Sequence, residues 1–282
     1  MSRFSGRNFS ADDISIIRQI IDEDPKRSRC KISQLVCEKL GWYKIDGGLK
    51  EMSCRVAMLR MQDAGLIKLP SPMKKRPIAD IQISDRTNPQ MPITQPIHEL
   101  PEIQIELVDK KTSSLWNEYV QRYHYLGYTS IPGAQLRYII KINGQIVALL
   151  GFGASAWMCE PRDIFIGWSH VKREQNLHLI INNYRFLILP WVQSKNFASK
   201  ILSKITKRIA QDWLKKYNYA PVLLETFVDI EKFNGGCYKA ANWQKLGETK
   251  GRGKLGPKEK TLPIKSIFVL PITKNFRKIL TG

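Results

Sequence analysis

The sequence is poor in acidic residues and has neither paired cysteines nor a long apolar run. Its 25 Asp and Glu stand against 45 Lys and Arg, so the formal net charge of the 282 residues is +20. An excess of this size predicts a polyanionic partner, either nucleic acid or an anionic membrane surface. The excess is uneven, because residues 101–282 carry 28 Lys and Arg against 13 Asp and Glu. Residues 101–282 are therefore the part of the chain that we most expect to bind a phosphate-rich partner.

No apolar stretch approaches the roughly 18 residues that a membrane-spanning helix needs. The first residues, MSRFSGRNFSADD, contain no apolar signal-peptide core, so we expect a cytoplasmic protein with no membrane partner. The five cysteines are odd in number and scattered, and no CxxC pair occurs. This spacing gives no support to a disulfide framework or a structural zinc site.

Residues 1–70 predict three helices and a short strand. Ser10 and Asp13 form a capping-box start for the first helix, and the second fits residues 31–40. A third helix fits residues 49–64, with Met52, Val56, Leu59 and Met61 expected to face inward. The strand LIKLP and a basic segment follow. This is the plan of a winged helix-turn-helix domain, whose third helix enters the major groove of DNA; a helical module that binds protein is the alternative.

Seven prolines between residues 70 and 101 predict a semi-rigid linker at 71–103, because proline blocks helices and strand pairing. The second domain, 104–282, then starts with a helix at 112–123. LRYIIKINGQIVALLGFG reads as a hairpin with Asn143-Gly144 at its type I′ turn. A long basic helix at 196–217, a strand PVLLETFVD, a short helix at 237–246 and a last strand SIFVLPI complete it. The fold class expected for the whole chain is therefore α+β.

The stretch 162–190 holds the most polar side chains beside apolar segments. FIGW and RFLILP read as buried strands, and hydrogen-bonding side chains lie between and beside them. An unpaired buried polar group costs about 1–3 kcal/mol, so each of these groups needs a partner. They form either an internally satisfied network or the floor of a cleft that binds a polar ligand.

The element order of the second domain resembles the GNAT acyltransferase fold, and the resemblance implies a mixed α/β sheet. Two features of that family are absent. The loop WVQSKNFAS (191–199) contains no glycine, whereas GNAT enzymes hold the cofactor pyrophosphate with a glycine-rich loop. The position four residues before Gly247 is Trp243 rather than a tyrosine acid. We therefore expect no acetyl-CoA.

Several motifs resemble the DruA family of Druantia anti-phage systems and of relatives associated with transposable elements. They are, in order, YHYLGY, RDIFIGW, QNLHLIINNYRFLILP, LLETFVD, CYKAANW and GRGK, and they span roughly residues 105–272. The resemblance implies work on DNA in phage defence or in mobile elements, with other proteins of such a system as possible partners. It implies no settled mechanism.

Four residues are candidates for chemistry. His124, Asp163 and Glu225 together would suit a divalent ion such as Mg²⁺ or Mn²⁺, with His124 also a candidate general base. Tyr238, at a helix start, is a candidate nucleophile towards a phosphodiester. Structural pairing of the carboxylates with Arg162, Arg173 or Arg185, and simple packing of His124 and Tyr238, are the alternatives.

A larger set of residues is expected to contact duplex or single-stranded DNA. In the first domain and its wing these are Lys50, Arg55, Arg60, Lys74, Lys75 and Arg76. In the second domain they are Arg173, Asn182, Asn183, Arg185, Lys250, Arg252 and Lys254. The function expected is DNA binding with metal-dependent strand cleavage or transfer. A non-catalytic DNA-recognition subunit and a GNAT-type acyltransferase are the alternatives, and the oligomeric state stays open.

Overall fold

A computed structural model describes residues 2–72, 80–251 and 262–282. The chain forms two compact units, Met1–Ala79 and Asp80–Gly282. In the described residues, every helix is too short or too polar to cross a membrane.

The first unit consists of a hairpin and three helices. The hairpin pairs β1 (Ser2–Phe4) with β2 (Arg7–Phe9), and the helices are α1 (Ala11–Asp22), α2 (Arg29–Lys39) and α3 (Glu51–Asp63). The capping box at the start of α1 is confirmed, since the Ser10 hydroxyl accepts from the Asp13 amide and the Asp13 carboxylate accepts from the Ser10 amide. Phe9, Ile17, Val36 and Met58 lie in its core.

The first unit departs from the winged helix-turn-helix plan in two ways. Its hairpin precedes the helices, and the segment 66–70, expected as a strand, has no strand pairing. The orientation expected for most of the inward face of α3 was also wrong. Cys54, Ala57, Met58 and Met61 face the core, whereas Met52, Val56 and Leu59 are 58%, 40% and 40% exposed. Both faces of this helix carry apolar residues, so the 3.6-residue period alone does not select the buried one.

The second unit is built on a seven-stranded sheet. Its strands are β3 (Gln104–Leu107), β4 (Gln135–Ile142), β5 (Gln145–Ala154), β6 (Ile180–Ile188), β7 (Leu223–Asp229), β8 (Gln244–Glu248) and β9 (Lys265–Pro271). They are ordered β3-β4-β5-β6-β7-β9-β8, and only β6 and β7 are parallel. The mixed α+β class is therefore confirmed, as is the hairpin turn, where Asn143 and Gly144 have φ of 48° and 78°.

Helices cover both faces of this sheet. They are α4 (Ser113–Tyr123), α5 (Glu160–Ile166), α6 (His170–Asn176), α7 (Phe197–Thr206), α8 (Ile209–Tyr217), α9 (Gly236–Ala240) and α10 (Phe276–Thr281). On one face α4 packs through Trp116 and Tyr119 against Leu149 and Leu187. On the other, α7, α8 and α9 contribute Ile201, Trp213 and Tyr238 to the largest core cluster.

Three sequence predictions for this unit need correction. FIGW was expected as a strand, but its first two residues, Phe165 and Ile166, end α5, which has Pro161 in its first turn and Gly167 with φ of 81° as its C-cap. The helix expected at 196–217 is broken at residues 207–208, where the Arg208 amide bonds to Ile205 in a tighter turn. The helix expected at 237–246 ends at Ala240, and β8 follows.

The proline-rich segment from residue 80 onward is packed rather than extended as a linker. Thr87 is fully buried, and the Ile93 amide donates to the Trp191 carbonyl at 2.8 Å. Ile97, Leu100 and Ile103 pack on the main core cluster of the second unit. The apolar residues between the prolines supply this packing, so the second unit begins at Asp80 and not at residue 104.

Candidate functional site

Several of the polar residues singled out in the sequence lie where β6 and β7 separate. These strands pair over only three residues each, from Ile180–Leu223 to Asn182–Glu225. Beyond that point β6 continues to Ile188 and β7 to Asp229 without pairing with each other. Residues directly opposite each other in a sheet share a face, so Asn182 and Glu225 lie side by side on one face.

Glu225 is held by a buried arginine. One carboxylate oxygen accepts from Arg162 at 2.8 Å and the other from the Ala156 amide at 2.7 Å, and neither charged side chain is exposed. Desolvation raises the pKa of Glu225, while the charge of Arg162 acts in the opposite direction. Two charges that share a dry environment neutralise each other, because leaving either one alone there is costly.

Asp163 completes the same network from the α5 side. One carboxylate oxygen accepts from the Arg162 guanidinium at 2.8 Å and from the Trp168 indole at 3.1 Å, and the other lies 3.3 Å from Arg173. Arg162 thus bridges the two carboxylates that were expected to bind a metal ion. This is the structural pairing that the sequence left as the alternative.

His124 lies outside this network. Among the described residues, no three His, Cys, Asp or Glu side chains are grouped as a metal-ion site. The predicted grouping of His124, Asp163 and Glu225 is therefore not present. Arg162 instead occupies one oxygen of each carboxylate.

The hydrogen bonding of His124 also conflicts with a role as base or ligand. Nδ1 accepts a hydrogen bond from the Leu126 amide at 3.2 Å, so this nitrogen is unprotonated and the neutral ring carries its proton on Nε2. Burial and the charge of Arg185 lower the pKa of His124 to about 4. With one nitrogen engaged and the other protonated, the ring offers no free lone pair at neutral pH.

Tyr238 fills the space between the diverging strands. It is 6% exposed, and its hydroxyl donates to the Asn183 side-chain oxygen at 2.7 Å. Thr226 donates to the Asn183 carbonyl at 3.0 Å and lies 3.5 Å from the Tyr238 oxygen. Burial raises the pKa of Tyr238, so the phenol stays protonated at neutral pH. A buried, protonated, hydrogen-bonded phenol does not fit the predicted nucleophile.

The four polar residues of this region predicted to contact DNA have different environments. The Asn183 amide is fully used, donating to Gly151 and Arg185 carbonyls at 3.0 and 2.9 Å. Arg185 is half-buried and donates to the Gly127 and Tyr184 carbonyls. In the described part of the chain, Arg173 Nε and the Asn182 side-chain oxygen are buried without a partner. Of these four residues, Arg173 and Asn182 are therefore the two with an unsatisfied buried polar atom.

The other predicted DNA contacts are dispersed. Lys50 and Arg60 are exposed on the first unit, and Arg55 is half-buried with Glu51 at 4.0 Å. Lys250 is exposed and pairs with Glu160. The remaining predicted residues, Lys74, Lys75, Arg76, Arg252 and Lys254, lie outside the described residues.

Arg162 is the central residue that the sequence predictions did not select as a site residue. It contacts both carboxylates and the Ala156 carbonyl, and its guanidinium lies 5.7 Å from the Trp168 ring centre. The sequence did contain a signal for such a residue: Glu225 is a charged residue within an apolar strand, and a buried charge needs a partner of opposite charge.

Comparison with protein families matches residues 62–258, more than half of the chain, to the family described as "DruA: Druantia protein DruA". A search of the curated proteins found no match. Among solved structures, a mutant of the spermidine N-acetyltransferase SpeG from Vibrio cholerae aligns with a TM-score of 0.41 and 9% identity, over 61% of this chain and 95% of that one. A GNAT-family acetyltransferase from Streptococcus pneumoniae has a TM-score of 0.40 and 12% identity, over 61% and 100%.

Proposed function

The chain belongs to the DruA family, the family of the Druantia protein DruA, and from this premise we propose that it acts in anti-phage defence by binding DNA. The observation that carries the DNA part of the proposal is a lysine-rich surface on α7 and α8 of the second unit. Family membership supports the defence role.

The lysine-rich surface consists of Lys200, Lys204, Lys207, Lys215 and Lys216. The first three follow each other at intervals of four and three residues, so Lys200 and Lys204 share one side of α7 and Lys207, its C-cap, continues that side, while Ile201, Leu202 and Ile205 are buried. Lys200, Lys207, Lys215 and Lys216 are exposed, and Lys204 is half-buried. A row of lysines with this spacing suits a phosphate backbone.

The two helices themselves carry almost no opposing charge. The only acidic residue in the sequence from 197 to 217 is Asp212, which is 7% exposed. Its carboxylate lies 2.7 Å from the guanidinium of Arg208, the residue before α8. The lysines therefore face solvent without a neighbouring carboxylate from these two helices, which favours attraction of a polyanion.

The proposal is recognition of DNA, without a catalytic step. The residues expected to cleave a strand are engaged in packing: Glu225 with Arg162, His124 with the Leu126 amide, and Tyr238 with Asn183. These contacts support the DNA-recognition alternative over strand cleavage. The exposed face of α3 carries apolar residues, so we assign the DNA contact to the lysine-rich surface rather than to the first unit.

Fluorescence anisotropy with a labelled duplex tests the proposal. Replacing Lys200, Lys204 and Lys207 together by glutamine should weaken binding about tenfold or more and make the log–log salt slope shallower by about 3. The matched control replaces three exposed lysines of the first unit, Lys26, Lys31 and Lys39. Equal losses in both triple variants would contradict the assignment of this surface.

A further inference from the structure

We propose that Tyr125 and Phe233 form a stacking platform for unpaired bases of single-stranded nucleic acid. The inference rests on the proposed DNA-binding function and specifies a substrate class for it. The two rings lie 5.6 Å apart with planes tilted by 59°, and the residues are 43% and 54% exposed. Two large aromatic rings in contact with each other at the surface offer a π-face that any base can stack on.

The Tyr125 ring is held by a hydrogen-bonded turn after α4. The Gly127 amide donates to the His124 carbonyl at 2.7 Å, and the Leu126 amide donates to the His124 ring. The Tyr125 ring stacks on His124 with centres 4.9 Å apart and planes 24° apart. Arg185 fixes the same turn from β6 by donating to the Gly127 carbonyl at 3.2 Å. The otherwise unexplained interactions of His124 and Arg185 therefore orient this ring.

The Phe233 ring is held by a second turn, which follows β7. Asp229, only 3% exposed, organises it by accepting through its carbonyl from the Phe233 amide at 2.9 Å. The Asp229 carboxylate also accepts from the Glu231 amide at 3.1 Å. Both exposed rings therefore belong to turns whose backbone is held by hydrogen bonds to buried or half-buried residues. An aromatic ring oriented in advance loses little conformational entropy on binding.

A flexible cation lies beside the rings. The Lys232 ammonium is 5.3 Å from the centre of the Tyr125 ring, close enough for a cation–π contact. Lys232 can exchange this contact for a phosphate while a base takes its place against the aromatic surface. Glu231 is the exposed acidic neighbour, and Asp229 is buried within the turn. Aromatic rings next to an exposed lysine match the chemistry of proteins that bind single strands without sequence preference.

An apolar protein segment is the competing occupant, because Leu126 and Ile230 are also exposed, by 48% and 41%. The aromatic pair, its adjacent lysine and the net positive charge of residues 101–282 favour nucleic acid. Unpaired bases occur in both DNA and RNA, so the test uses a labelled single-stranded DNA and an RNA of the same base sequence, with the corresponding DNA duplex alongside.

The experiment measures anisotropy with Tyr125→Leu, Phe233→Leu and the double variant of the full chain. Each single change should weaken single-strand binding about tenfold, and the double variant about a hundredfold, with little change on duplex DNA. Tyr125→Phe should bind as the wild type does, since stacking needs the ring and not the hydroxyl. Unchanged unfolding midpoints establish that the variants are folded.

Trp157→Leu is the matched control, because Trp157 is 54% exposed in the same unit. Single-strand affinities equal to wild type in the double variant, or an equal loss in Trp157→Leu, would overturn the platform while leaving DNA binding intact. A wild-type chain that binds no nucleic acid at all would instead refute the proposed function. Losses on both DNA and RNA support recognition of bases in general, and a loss on DNA alone assigns the platform to DNA.

Discussion

The Arg162 guanidinium lies 2.8 Å from the Glu225 carboxylate, and neither side chain has solvent exposure. Arg162 belongs to α5 and Glu225 to β7, so this contact joins the helix to the strand, and the same guanidinium also binds Asp163. These contacts determine how the candidate site is interpreted, because they make Glu225 and Asp163, the two carboxylates predicted to bind a metal ion, parts of a structural network.

Breaking the Arg162–Glu225 pair should destabilise the protein strongly. Arg162→Met leaves the buried Glu225 charge without its cation, and should lower the free energy of unfolding by roughly 3–5 kcal/mol. Glu225→Gln should cost less, because Arg162 keeps its contact with Asp163. The double change of Arg162→Met with Glu225→Leu should recover much of this loss. Urea unfolding measures all three variants.

The exposed pair Lys245–Glu248, also 2.8 Å apart, is the control for this comparison. Lys245→Met should cost less than about 1 kcal/mol, because solvent screens the pair. A Glu225→Gln protein of wild-type stability that had lost a DNA-cleaving activity would contradict the structural interpretation and restore the catalytic one.

His124 should make stability fall with acid. Its folded pKa of about 4 lies below the ordinary value of about 6.5, so the unfolded chain binds more protons between these values. Stability is therefore full above about pH 7 and declines towards pH 4, by at most about 3 kcal/mol before solvent screening.

His124→Asn tests this account, since the asparagine oxygen can accept from the Leu126 amide but does not titrate. The variant should have a flatter dependence of unfolding free energy on pH between 4 and 7. An unchanged slope would show that another group causes the acid sensitivity.

Tyr238→Phe should reduce stability and leave DNA binding unchanged. The change leaves the buried Asn183 side-chain oxygen without its donor, which costs about 1–3 kcal/mol. Thermal or urea unfolding measures the loss. A covalent protein–DNA adduct that appears on denaturing gels with wild type and disappears in this variant would instead establish Tyr238 as a nucleophile.

Acetyl-CoA should give no saturable heat in calorimetry. Between the diverging strands β6 and β7 the structure has Tyr238, Asn183 and Thr226 in mutual contact, and the loop 191–199 has no glycine to let its backbone approach a pyrophosphate. A micromolar site would contradict this reasoning and favour the acyltransferase alternative.

Local patterns predicted those parts of the fold that local chemistry determines. Asn143-Gly144 requires positive φ at both residues, so the hairpin could be recognised from two letters. FIGW could not be assigned in the same way, because its residues suit a strand, and Pro161 and Gly167, which mark the two ends of α5, are the residues that favour a helix. For α3, the sequence could not identify the buried face, because both faces carry apolar residues. The contacts of Cys54 and Met58 in the core identify it.

The candidate site was predictable as a location but not as chemistry. Glu225 and Asp163 were correctly identified as carboxylates that need partners, yet the distance between α5 and β7 is a tertiary property. The hydrogen bond from the Leu126 amide to His124 Nδ1 depends on the conformation of the turn, so the spacing of residues in the sequence could not predict it. For the same reason Tyr125 and Phe233, far apart in sequence, could not be paired in advance.

The salt dependence of duplex affinity tests the central claim most directly. If the second unit binds DNA through its lysines, the logarithm of the association constant should fall linearly with the logarithm of salt concentration, with a slope steeper than about −3. Counterion release requires this dependence for any protein that neutralises several phosphates. Measurable binding with a flat salt dependence, or no binding at low salt, would contradict DNA recognition by the lysine-rich surface.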